Sequence, residues 1–113
     1  MRTVTEKSLR AFLNHRNGKF GGVCTNQYAG SACGKVNTEI KDDTLYLFGN
    51  AIAKLVNDDL YVRVVACTNT TRERLNGLGE FGYKISVCQR NYNAYINGKE
   101  VADYMQWQKI DRV

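Results

Sequence analysis

The apolar positions of this chain follow two rhythms. Leu9, Phe12 and Leu13 recur at helical spacing, and Thr3 with Glu6 makes a capping pair, which predicts a helix from about Val4 to Asn14. Further on, strand-like runs cover Thr44 to Phe48, Ala51 to Val56 and Leu60 to Ala66, separated by Gly49-Asn50 and by Asn57-Asp58-Asp59. Tight turns between such runs predict an antiparallel meander. In the third run Leu60, Val62 and Val64 share one side while Tyr61, Arg63 and Val65 share the other, the alternation of a sheet with one face packed on helices. Val36 to Ile40 reads as a strand or its lead-in, and Lys41-Asp42-Asp43 as the turn before the meander.

After Cys67 the pattern changes. Thr70 and Glu73 form a second capping box, and Gly77 or Gly79 supplies a left-handed stop, which predicts a helix of about two turns near residues 70–78. Tyr83, Ile85 and Val87 then alternate with Lys84, Ser86 and Cys88 as in a half-buried strand. Tyr92 to Ile96 is another strand, and Asn97-Gly98 turns it into Lys99-Glu100-Val101. Ala102 to Met105 reads as a helical turn, with Trp107 and Ile110 closing the core. The expected architecture is α+β: an antiparallel sheet of about five or six strands against an N-terminal helix and a short central one. At 113 residues the chain is expected to be one domain, with a helix over 1–16, a Gly- and Cys-rich loop over 17–35, and the sheet over 36–113. That loop has glycines but lacks the GKS/T ending of a phosphate-binding P-loop.

Two motifs carry a resemblance. Leu45-Tyr46-Leu47-Phe48-Gly49-Asn50-Ala51-Ile52-Ala53 and Thr68-Asn69-Thr70-Thr71-Arg72-Glu73-Arg74-Leu75-Asn76 resemble a group of small tailed-bacteriophage proteins that share LYLxGNxIA and TxTTxxRLN motifs. The likeness extends to Ala11-Phe12-Leu13-Asn14 and to Tyr95-Ile96-Asn97-Gly98-Lys99, while residues 21 to 34 depart from it as an insertion would. It implies a phage origin and brings no mechanism with it.

The net charge of +5 sits at one end. Arg2, Lys7, Arg10, Arg16, Lys19 and Lys35 face Glu6 alone, whereas residues 36–113 hold ten cations and ten carboxylates. Such asymmetry speeds encounters with nucleic acid or an acidic protein surface. No apolar run approaches a membrane span, and no apolar leader follows the N-terminus, so the expected location is the host bacterial cytoplasm, with reduced thiols. Cys67 and Cys88 read as small buried hydrophobes, and Cys24 with Cys33 is the one local pairing to test. Asp42-Asp43 and Asp58-Asp59 occupy turns, so no metal site and no cofactor is expected.

Three functional expectations follow, the first resting on the resemblance, the small size and the lack of a catalytic motif. It is a non-enzymatic phage accessory protein that binds and inhibits a host protein or ribonucleoprotein complex by occlusion, as an anti-CRISPR-like inhibitor would. Arg10, Arg16, Lys19, Arg72 and Arg74 would form its basic partner surface. The second is a direct DNA- or RNA-binding protein using the basic N-terminal region with Lys84, Arg90, Tyr92 and Tyr95. The third is an enzyme built on His15 and Cys24, for which no family signature speaks. Strand edges and exposed tyrosines leave a homodimer open.

Overall fold

The computed structural model describes residues 3–23, 34–66 and 68–113. Helix α1 spans Thr3–Leu13 and buries Thr5, Ser8, Leu9 and Phe12, a single stripe at helical spacing. It ends one residue before the expected boundary. His15 takes the left-handed conformation (φ 57°), its amide bonds the Phe12 carbonyl at 3.2 Å, and the Arg16 amide reaches back to Ala11 at 2.8 Å. These two bonds are the Schellman pattern, here with histidine where glycine is usual.

Six strands form the main antiparallel sheet in the order β1-β2-β3-β4-β5-β9: β1 (Gly18–Val23), β2 (Val36–Lys41), β3 (Thr44–Leu47), β4 (Asn50–Val56), β5 (Asp59–Val62) and β9 (Gln108–Ile110). A separate three-stranded sheet holds β6 (Val87–Arg90), β7 (Asn93–Ile96) and β8 (Lys99–Glu100). The α+β architecture is therefore as expected, with two corrections. Gly18–Val23, expected as loop, is an edge strand whose Lys19 and Phe20 pair with Glu39 and Thr38 of β2. Its glycines have poor strand propensity, so the ladder offered by β2 decides its conformation. The Tyr83 to Cys88 alternation is likewise not one strand: Tyr83 makes an isolated bridge to Arg112, and β6 begins only at Val87.

Each tight turn is built from residues at positive φ, the geometry that matches strand twist. They are Asp42-Asp43, Phe48-Gly49, Asn57-Asp58, Asn91-Tyr92 and Asn97-Gly98. The first hairpin turn of the meander thus lies one residue earlier than Gly49-Asn50, since Leu47 pairs with Asn50.

Helix α2 (Asn69–Gly77) is capped by Thr68, whose hydroxyl accepts from the Thr71 amide at 3.2 Å; the expected Thr70–Glu73 box does not form the cap. Nor does Gly77 or Gly79 stop it. A 3₁₀ turn (Leu78–Phe81) continues the chain to Gly82, which supplies the left-handed residue at φ 95°. The Asn76 side chain clasps the Val87 backbone, accepting from its amide (2.6 Å) and donating to its carbonyl (2.9 Å), and so docks α2 on β6.

One core unites these layers. Leu9 and Phe12 of α1 and Leu75 of α2, together with Leu78, meet Ile40, Leu45, Leu47, Ala53, Leu60 and Val62 from one face of the large sheet, while Val87, Ala94 and Ile96 extend the cluster under the small sheet. Leu60, Val62 and Val64 are buried as their alternation requires, and Ile110 joins them by pairing with Leu60. Trp107 does not close the core: it is half-buried, held by cations on the other face.

Candidate functional site

Described residues of the basic N-terminal third, with part of β2, line two adjoining open grooves at the corner of α1 and β1. Lys7, Arg10, Ala11 and Asn14 from the helix and its end, with Arg16, Asn17 and Phe20, line a groove of ≈ 410 Å³. Its neighbour, ≈ 380 Å³, shares Asn17 and adds Gly18, Lys19, Glu39, Ile40 and Lys41. Arg10 pairs with Glu6 one helical turn away at 3.0 Å, and its guanidinium lies 5.6 Å from the Phe81 ring centre. Both partners of that pair are largely exposed, and such pairs contribute only about 0.3–0.5 kcal/mol, so Arg10 can exchange Glu6 for a stronger acid. The structure thus brings Arg10, Arg16 and Lys19 to one corner.

The other two expected partner residues lie elsewhere. Arg72 is half-buried at the α2–β6 junction, donating to Gln89 Oε1 at 2.8 Å and to Asn69 Oδ1. Arg74 has to be removed from the basic surface: it is 1% exposed. Its guanidinium donates to Thr38 Oγ1 (3.2 Å), to Asn37 Oδ1 (2.9 Å), to Thr5 Oγ1 and to Glu73 Oε1 (2.6 Å). A buried charge survives only with such a set of acceptors, and the set joins α1, α2 and β2. Glu73 is held in the same network, accepting also from the Thr5 hydroxyl, and this engages it away from the expected capping role.

Of the residues expected for nucleic-acid binding, Arg90 and Tyr95 share the outward face of the small sheet, with Cys88 opposite Tyr95 and Asn93 opposite Arg90. Glu100 also stands opposite Tyr95 and offsets the charge there. Tyr92 is at the hairpin tip, 93% exposed and at φ 65°. Lys84 is exposed outside the strands. Cys88 is half-buried rather than buried, with its thiol free. Cys24, Cys33 and Cys67 lie outside the described residues, and with them the Cys24–Cys33 pairing and the His15–Cys24 pair. His15 Nδ1 lies 2.8 Å from Asp43 Oδ1 and Nε2 3.7 Å from Asp58 Oδ1, so it ties the end of α1 to the β2–β3 and β4–β5 turns.

A further group was not singled out by the sequence. Cross-strand register aligns Lys41, Thr44, Lys54, Tyr61 and Lys109 in one row across β2, β3, β4, β5 and β9, on the face opposite the helices. Beside it Trp107 carries Lys54 and Arg63, each 4.4 Å from its ring centre. The Tyr61–Arg63 alternation is the one local sign of this face; the row itself depends on pairings that no local pattern reveals. Among the described residues, no group of three or more His, Cys, Asp or Glu could hold a metal ion, and no helix is long and apolar enough to cross a membrane.

Fold and grooves together define a two-layer α+β domain that gathers Lys7, Arg10, Arg16 and Lys19 in open grooves and buries Arg74 between its layers. The family model of the Kyanoviridae Gp96 protein matches residues 1–112, and the chain belongs to that family of phage proteins. Comparison with curated proteins and with solved structures gives no significant match.

Proposed function

We propose that this phage protein is a non-enzymatic accessory factor that binds a host macromolecular machine and inhibits it by occlusion, with a nucleic-acid-directed defence complex such as a CRISPR effector as its target. The observation that carries the reading is the corner groove, which Lys7, Arg10 and Arg16 line together with the apolar Ala11 and Phe20. Phage family membership supports it at the coarser level. Nucleases and polymerases hold their metal ions with carboxylates, a chemistry that a pair of guanidinium groups complements. An acidic protein surface that also offers an apolar contact is therefore the partner this groove fits.

The test is a pull-down of the tagged protein from nuclease-treated host lysate, beside an Arg10→Glu/Arg16→Glu variant. A host protein retained by the wild type and lost from the variant is the expected result. Recovery of nucleic acid alone, or a bound host protein indifferent to the two reversals, would overturn the reading.

A further inference from the structure

The helix-free face of the large sheet, of which Lys19, Glu39 and Lys41 line the neighbouring groove, is left unused by the Lys7–Arg10–Arg16 groove. Its outward positions are fixed by register and by the alternation of burial in β2, β3 and β5. They carry Lys19, Lys41, Lys54, Arg63 and Lys109 against Glu39 and Asp59, and interleave them with Tyr46, Tyr61 and Trp107. Neighbouring strands are about 4.8 Å apart, so Lys41, Lys54 and Lys109, each two strands from the next, stand at intervals of about 10 Å along one line. Tyr61 lies between the last two. Asp59 approaches Lys109 to 3.9 Å between half-exposed side chains, an interaction too weak to withhold that lysine from a stronger anion.

The cations here are also ordered. Arg63 Nε donates to the Ala51 carbonyl at 2.7 Å while its guanidinium rests against Trp107. Lys54 spans two rings, 4.4 Å from Trp107 and 5.8 Å from Tyr61. Holding charges over rings before binding reduces the ordering cost that a phosphate contact otherwise carries. Both helices pack on the opposite face, through the core cluster that contains Leu9, Phe12 and Leu75.

We propose that this face binds single-stranded nucleic acid, with Lys41, Lys54, Arg63 and Lys109 contacting phosphates and the rings of Tyr46 and Tyr61 stacking on bases. The charge is complementary to a phosphate chain, and the aromatic rings interleaved with the cations call for a ligand that has flat unpaired rings of its own. Duplex DNA hides its base faces, and an acidic peptide lacks them. The site shares Lys19 and Lys41 with the second corner groove but no residue with the Lys7–Arg10–Arg16 groove, so charge reversal at Arg10 and Arg16 tests the two readings separately.

Trp107 is the chain's single tryptophan, and its fluorescence reports directly on this face. The experiment titrates the full chain with a short oligodeoxythymidine, a duplex of equal length and inorganic polyphosphate. Saturable quenching by the single strand is expected, weakening steeply as salt rises. Lys54→Ala and Lys109→Ala should each lower the logarithmic salt slope by about 0.7, as for one lost phosphate contact on a single strand. Tyr61→Ala should weaken binding about tenfold, in line with one lost stacking platform, while Tyr61→Phe retains it and shows that the fold survives. Arg10→Glu/Arg16→Glu should leave the affinity in place. Absence of quenching, equal affinity for polyphosphate or duplex, or a neutral Tyr61→Ala would each overturn the assignment.

Discussion

Replacing Arg74 by methionine tests whether this arginine holds the fold or serves a surface. Methionine keeps much of the length and removes the charge and every donor. The guanidinium is 1% exposed and bonds four side chains on α1, α2 and β2. Breaking a buried ion pair by deleting one partner costs about 3–5 kcal/mol. The lower end applies here, because Glu73 is 29% exposed and can rehydrate, and because Thr38 donates to Asn37 at 2.7 Å without help from the arginine. A loss of about 3 kcal/mol is a large share of the roughly 5–15 kcal/mol that holds a domain together. Near this chain length it corresponds to a fall in Tm of about 12 °C. Urea unfolding followed by circular dichroism measures the first quantity and a thermal scan the second. Arg74→Lys should recover only part of the loss, since one ammonium cannot reach acceptors spread over three elements. A loss under about 1 kcal/mol for Arg74→Met would refute the claim that this network joins the layers.

Other substitutions test particular local arguments. Thr68→Ala should cost about 1 kcal/mol in urea unfolding and Thr70→Ala clearly less, which places the cap of α2; the reverse order would restore the Thr70–Glu73 box. Gly21→Ala should destabilise by more than about 1 kcal/mol, because its φ is +77° and an added Cβ would meet Asn37 Cβ at 2.8 Å; a neutral result would mean that β1 shifts freely. Tyr92→Gly should stabilise by about 0.5–1 kcal/mol, since a bulky residue at φ 65° is strained and this ring is 93% exposed. Asn76→Ala removes both bonds to Val87, and hydrogen exchange of the β6 amides should speed up more than that of β4.

Period and turn chemistry made the N-terminal helix and the β3–β4–β5 meander legible. Leu9 and Phe12 mark a helical stripe, Leu60, Val62 and Val64 an alternating one, and Asn, Asp and Gly tolerate the positive φ of the turns. These are short-range properties, written wherever a residue meets its neighbours. Strand β1 was not legible, because its glycines carry no strand preference and the strand forms only through the pairing of Gly18, Lys19, Phe20 and Val23 with β2. Strand β9 escaped for a different reason: Ile110 pairs with Leu60, a contact that only the closed sheet creates.

For the candidate sites the division is sharper. The basic excess of the first 35 residues was visible, and Arg10, Arg16 and Lys19 do gather at one corner. Arg72 and Arg74 look alike in the sequence, yet one lies at the α2–β6 junction and the other is buried. Two residues apart on a helix they point in different directions, and only the packing of α1 and β2 decides which direction is inward. The Lys41–Lys54–Tyr61–Lys109 row spans most of the chain length and exists only through strand register. The sequence by itself determined the N-terminal helix, the β3–β4–β5 meander and the excess of charge, because these rest on local sterics and composition. Tertiary structure alone decided which cations are spent on stability and which line up on a surface, because burial and register are set by residues far away along the chain.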